Sequence, residues 1–156
     1  MDFSENYSSQ YQDEVKSAHW HYSKVTVFTG VVWVKTVCNS YAIVNDYLSH
    51  DKFAVYKFLQ VIMDDMKACH PGVEEVHFYS DGAASQFKQK YLFDNLTFLK
   101  EAHALQKCTR NFFATSHGKG AVDGVGGTIK KLVSMQVLSR KTVIKDANTF
   151  FKLIMV

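Results

Sequence analysis

EVHFYSDGA, residues 75–83, reads as a short strand, EVHFYS, that stops at an Asp-Gly pair. Branched and aromatic side chains favour the pleated conformation, and Gly82 lets the backbone turn sharply after Asp81. Just before it, Pro71-Gly72 closes a helix that opens at His50-Asp51, with Phe53, Tyr56, Leu59, Met63 and Met66 at helical spacing. Further upstream the chain is β-rich. VTVFTGVVWV (25–34) reads as a buried strand with Gly30 a bulge or a break between two strands, and SYAIVNDY (40–47) as a third strand. Residues 2–7 look like the end of a strand beginning abruptly at the chain start.

Downstream of the Asp-Gly pair, strand and helix alternate. Phe87–Leu105 is predicted helical with Tyr91, Asn95, Phe98 and Ala102 along one side, and TRNFFAT (109–115) as a strand. Val122–Leu138 is predicted as an amphipathic helix through Val125, Ile129, Leu132, Val133 and Val137, and residues 146–154 as a short final helix. Three leading strands followed by alternation predict an α/β fold: a mixed sheet with helices on both faces. Loops at the carboxyl ends of its parallel strands are where such a sheet places its site.

A chain of 156 residues is one domain's worth, so residues 1–156 are read as a single domain. The 14% aromatic content argues against disorder. No run approaches the roughly 18 apolar residues of a membrane span, and the amino terminus MDFSENYSS is too acidic for a secretory signal. Cys38, Cys69 and Cys108, odd in number and without CxxC spacing, favour reduced thiols in an intracellular protein. The net charge of +3 hides an asymmetry. Residues 1–99 hold 8 Lys/Arg against 12 Asp/Glu, and residues 100–156 hold 10 against 3. A basic carboxy-terminal third suits either a polyanion or a solvated helix face.

Three aspartates fall where elements end or begin. Asp2 lies on the first strand, Asp81 directly after EVHFYS, and Asp123 at the start of the last long helix, behind the loop His117-Gly118-Lys119-Gly120. If the first and fourth strands are neighbours, Asp2 and Asp81 approach each other, and a helix amino terminus over that edge brings in Asp123. Converging carboxylates repel one another and need a cation; Mg²⁺ is the natural partner for oxygen ligands. Taken singly, each has an ordinary structural reading: a turn, a helix cap, a terminal polar residue.

MDFSENY, SDGAASQFKQKY and FFATSHGKGAVDGVGGTIKKLV resemble blocks of transposon-derived proteins of animal genomes, within the RNase H-like superfamily of DDE/D transposases and integrases. The resemblance spans nearly the whole chain, and HGKG-x-x-DG-x-GGT is its most specific part. It implies an RNase H-like fold with Asp2, Asp81 and Asp123 as catalytic, metal-binding carboxylates. It also implies two Mg²⁺ or Mn²⁺ ions about 4 Å apart performing DNA cleavage and joining. Backbone near Gly118–Gly120, with His117, Lys119, Lys130 and Lys131, would contact nucleic acid. DNA is the expected partner, with a homo-oligomer as a further expectation, and the nucleus the expected location. The family's first strand normally extends upstream of this motif, so the chain is expected to be truncated at its amino terminus. The alternative is an inactive, domesticated or decayed remnant that only binds nucleic acid or protein.

Other motifs carry less. GVGGTIK (124–130) fails the phosphate-loop template, and Gly124, Gly126 and Gly127 are read as letting the helix start pack closely on the sheet. His19-Trp20-His21 and Cys69-His70 lack paired zinc-ligand spacing. Trp20 suits base stacking or a packed wedge. Phe112-Phe113 and Phe150-Phe151 are read as core.

Overall fold

The computed structural model describes residues 1–8, 24–83, 86–113, 120–140 and 144–155. In chain order these form β1 (Asp2–Ser8), β2 (Lys24–Val34), β3 (Val37–Asn45), α1 (Lys52–Cys69), β4 (Glu75–Ser80), α2 (Lys90–Ala102), β5 (Lys107–Phe112), α3 (Ala121–Arg140) and α4 (Ala147–Ile154). The fold is mixed α/β, with four helices and two open sheets among the described residues. One sheet is antiparallel, in the order β1-β2-β3; the other pairs β4 with β5 in parallel. No described helix is long and apolar enough to cross a membrane.

β2 explains the layering. Val25 to Gly30 are all buried, which a strand achieves only when both of its faces are covered. Val25 and Val27 pack with Val133 of α3 and with Phe150 and Leu153 of α4. Phe28, pointing the other way, packs with Phe58, Leu59 and Met63 of α1 and with Phe87. The helices therefore lie on both faces of the antiparallel sheet, but the single mixed sheet expected from the strand order is divided in two among the described residues, because β1 and β4 are not paired.

Gly30 is neither a bulge nor a break, because the β2–β3 register runs unbroken from Thr26↔Asn45 to Val34↔Val37. A Cβ there would stand 3.1 Å from Ile62 Cδ1, so Gly30 makes room for α1. The bulge lies instead in β1, where Ser4 to Tyr7 spans only Val27 to Val25. It resets the alternation, so that Asp2, Ser4 and Tyr7 all face α3. Ser4 touches the helix at Gly126, and the Tyr7 hydroxyl lies 3.4 Å from Ser134 Oγ.

Asp51 caps α1 as predicted, its Oδ1 accepting from the Phe53 and Ala54 N–H groups at 3.0 Å each. Two predicted helix faces are corrected. In α1, Phe53 is 66% exposed, and the buried stripe runs through Val55, Phe58, Leu59, Ile62, Met63 and Met66. In α2, Tyr91 and Phe98 are exposed while Leu92 and Leu99 are buried, one residue round from the predicted side. Both helices carry apolar residues on adjacent stripes, so spacing alone does not choose between them. Phe112 and Phe150 join the core, but Phe113 and Phe151 are largely exposed. All three cysteines are free.

Candidate carboxylate site

Three contacts draw Asp2, Asp81 and Asp123 towards one corner. The Met1 amine donates to the Tyr79 carbonyl at 3.1 Å, which brings the start of β1 beside the end of β4. Gly126 sits against Ser4, so the first turn of α3, containing Asp123, overlies the start of β1. The Thr29 hydroxyl donates to the Asp2 carbonyl at 3.2 Å, fixing β1 on β2 at that point.

Each carboxylate has one oxygen engaged by a nearby backbone N–H. Asp2 Oδ1 accepts from Phe3 (2.7 Å), Asp81 Oδ1 from Ala83 (3.2 Å) and Asp123 Oδ2 from Gly120 (3.2 Å). Asp2 is held above the ordinary carboxylate range. Burial is the largest cause, the Asp81 charge comes next and the Asp123 charge adds to them, against the Phe3 N–H, which lowers it. The Asp81 and Asp123 charges are thus close enough to oppose ionisation of Asp2.

The sign of that opposition makes a prediction. A carboxyl whose folded pKa is raised binds its proton more tightly in the folded state, so stability falls as pH rises from the unfolded value near 3.8 through the raised one. Asp2→Asn keeps an oxygen for the Phe3 N–H and removes the charge. Its melting temperature is expected to exceed that of the wild type by roughly 1–2 °C at pH 7, the gap being reduced by solvent screening. Thermal unfolding between pH 3 and 8 should show the gap closing below about pH 4.

Among the described residues, no three His, Cys, Asp or Glu side chains stand close enough to hold a metal ion as they are. A closed three-carboxylate cage is therefore not formed. Mg²⁺, however, is usually held by one or two carboxylates, with water and substrate phosphate completing the shell. The all-oxygen donors and their mutual repulsion fit that kind of site. Lys130, half-buried, and Lys131, exposed, lie on α3 beyond Asp123. His117, Lys119, Gly118 and the His19-Trp20-His21 cluster lie outside the described residues. Of the three glycines read as close-packing, only Gly126 meets the sheet; Gly124 and Gly127 face open space.

Arg110 is the residue the sequence reading passed over. Its guanidinium lies 5.5 Å from the Phe87 ring centroid and 6.0 Å from that of Phe112, and Nη2 reaches Ser80 Oγ at 3.5 Å. Nε and Nη1 are buried without a hydrogen-bond partner, and burial lowers its pKa to about 10. In KCTRNF (107–112), alternation puts Arg110 on the side of Cys108 and Phe112, so an inward charge was detectable. A cation that gives up hydration without a full set of partners contributes little to stability. Arg110→Met, similar in reach and apolar, is expected to melt within about 2 °C of the wild type or several degrees higher. A calorimetric fall of several degrees would show that the guanidinium supports the fold.

Comparison with curated proteins and with solved structures finds no match in either. A family model described as a domain of unknown function (DUF8701) matches residues 1–155. With the match running over almost its full length, the chain belongs to the DUF8701 family.

Proposed function

We propose that this chain is an RNase H-like domain that performs divalent-metal-dependent phosphoryl transfer on DNA, as DDE/D transposases do. The observation that carries the proposal is that the Met1–Tyr79 and Gly126–Ser4 contacts draw the start of β1, the end of β4 and the first turn of α3, and with them Asp2, Asp81 and Asp123, towards one corner. The strand pattern supports it: an antiparallel β1-β2-β3 unit lies beside a parallel β4-β5 pair, with helices on both faces of the first. The three sequence blocks resembling transposases supply the three elements that converge.

In this reading Asp2 and Asp81 would hold the cation, and Asp123, carried on α3, would complete the anionic edge. A bound divalent ion would neutralise the scissile phosphate and activate the attacking water or 3′-hydroxyl. Lys130 and Lys131, with His117 and Lys119 of the preceding segment, would contact the DNA backbone, which positions a duplex without reading its sequence. A DNA substrate would put the protein's site of action in the nucleus.

A second reading, an inactive domain that only binds nucleic acid or protein, is favoured by the lack of a ready three-ligand group among the described residues. Incubating the protein with supercoiled DNA and Mg²⁺ or Mn²⁺ separates the two. Nicking that a chelator abolishes is the expected result. No cleavage with either metal, together with salt-dependent DNA binding, would replace catalysis with the second reading.

A further inference from the structure

Tyr79 and Phe113 belong to neither core cluster, although each is a large aromatic on a strand or directly after one. Tyr79 is 50% exposed and Phe113 42% exposed. Their rings stack on each other, with centroids 5.9 Å apart and planes inclined by 29°. The pair straddles the ends of β4 and β5, where the Phe113 N–H donates to the Ser80 carbonyl at 2.9 Å.

Alternation fixes the side on which the pair stands. Phe78 lies in the cluster built around α1 and Phe3 packs against that cluster, so Tyr79 and Asp2 both project from the opposite side. Asp81 is two residues beyond Tyr79, a Cα separation of at most roughly 7 Å. Ala121 and Val122, in the turn of α3 that carries Asp123, line the same hollow as Tyr79 and Phe113. The ring pair therefore borders the carboxylate corner. It lies on the face of the β4–β5 pair, and a strand added beside β4 would pair in the plane of the sheet and leave that face open. Around the rings the face is polar. Asn111, opposite Tyr79 in the register, donates through Nδ2 to the Phe78 carbonyl at 3.3 Å, and His77 Nδ1 lies 2.6 Å from Thr109 Oγ1.

We propose that Tyr79 and Phe113 form a stacking platform for an unpaired base of the DNA strand bound at the carboxylate corner; the inference rests on reading that corner as a phosphoryl-transfer site. Flat aromatic faces beside hydrogen-bonding groups suit a nucleobase, which is apolar on its faces and polar at its edges. An apolar peptide side chain is less well served, because the surround offers polar groups that it would bury without partners.

The platform narrows the substrate class. A base inside a duplex has no free face, because its neighbours stack on both sides. The DNA that fits is therefore single-stranded or frayed beside the phosphate held at the corner. Since every base presents a π face, stacking here carries little sequence preference.

Fluorescence polarisation of a labelled oligothymidylate, and of a labelled duplex of the same length, tests the platform at one fixed salt concentration without divalent metal. The wild type is expected to bind the single strand more tightly than the duplex. Tyr79→Ala and Phe113→Ala are each expected to weaken single-strand binding roughly tenfold and to change duplex binding little. Phe113→Trp should keep the affinity, whereas Phe113→Leu, apolar but without a π face, should fall to the alanine level. Both rings are about half exposed, so each variant is expected to keep the wild-type melting temperature. Alanine variants that bind like the wild type, leucine that serves as well as tryptophan, or no preference for the single strand would each overturn the platform. Nicking that survives both alanine exchanges undiminished would overturn it too, while leaving metal-dependent phosphoryl transfer intact. Single-strand binding lost in the alanine variants of a protein that never nicks would support the platform and remove the catalytic reading.

Discussion

Gly126→Val is expected to destabilise the protein by about 2–3 kcal/mol, whereas Gly127→Ala, one residue along the same helix, stabilises it by up to about 1 kcal/mol. At Gly126 a Cβ would lie 2.8 Å from Ser4 Oγ, 3.1 Å from Ser4 Cβ and 3.6 Å from Thr29 Cγ2. The first two distances are to a short side chain on a paired strand, and the position of Ser4 Cβ is fixed by that strand's backbone. Valine adds two more carbons in the same space, so α3 must retreat from β1. The gain in helix propensity on replacing glycine, about half a kcal/mol, offsets only part of that. At Gly127 nothing lies within 4 Å, and alanine there only reduces the freedom of the unfolded chain. Urea unfolding of the two variants measures the contrast. Equal stabilities would mean that α3 does not rest on Ser4, and the approach of Asp123 to Asp2 would lose its mechanical basis. A Ser4→Gly exchange in a Gly126→Ala background should recover much of the loss, because it removes both of the closest atoms.

The element order was legible because turn chemistry and strand composition agree along this chain. EVHFYS is a strand with the predicted limits, ending at Asp81, and Asp51 caps the helix that Pro71-Gly72 follows. What spacing did not reveal was direction. α2 offers Tyr91-Phe98 and Leu92-Leu99 at the same interval, and the leucines are inside. An aromatic ring serves equally at a half-wetted surface, so hydrophobicity alone favoured neither stripe. Gly30 illustrates a second limit: a glycine within a strand signals a bulge or a close approach, and only the position of Ile62 decides which. The β1 bulge has no glycine to mark it, yet it determines that Tyr7 joins Asp2 and Ser4 on the α3 side. Of the site, the three aspartates were visible as residues at element ends. Arg110 becomes legible only once Cys108 and Phe112 mark the inward side of KCTRNF, the side that alternation gives to Arg110 as well.

On the proposed mechanism, Asp81→Asn is expected to reduce metal-dependent nicking by at least about a hundredfold while leaving the fold intact, since losing a proposed metal ligand would exceed the 10–100-fold cost typical of losing a supporting group. The substitution preserves structure for a specific reason: the asparagine side chain retains an Oδ1 for the Ala83 N–H, the bond that shapes the turn after β4. It removes charge where charge matters, because Asp81 is the largest electrostatic contributor to the raised proton affinity of Asp2. The same variant therefore has a second readout independent of catalysis. The Asp2 carboxyl, followed by its carbon resonance, should titrate at lower pH in Asp81→Asn than in the wild type. The two readouts separate two propositions that activity alone would merge. A lowered Asp2 titration with no wild-type nicking would leave a carboxylate cluster without phosphoryl transfer. Nicking that survives the substitution would place the chemistry on other residues, whatever the titration shows. If the Asp2 titration does not move, Asp81 and Asp2 do not share a site, and a cation held between them has no electrostatic reason to bind.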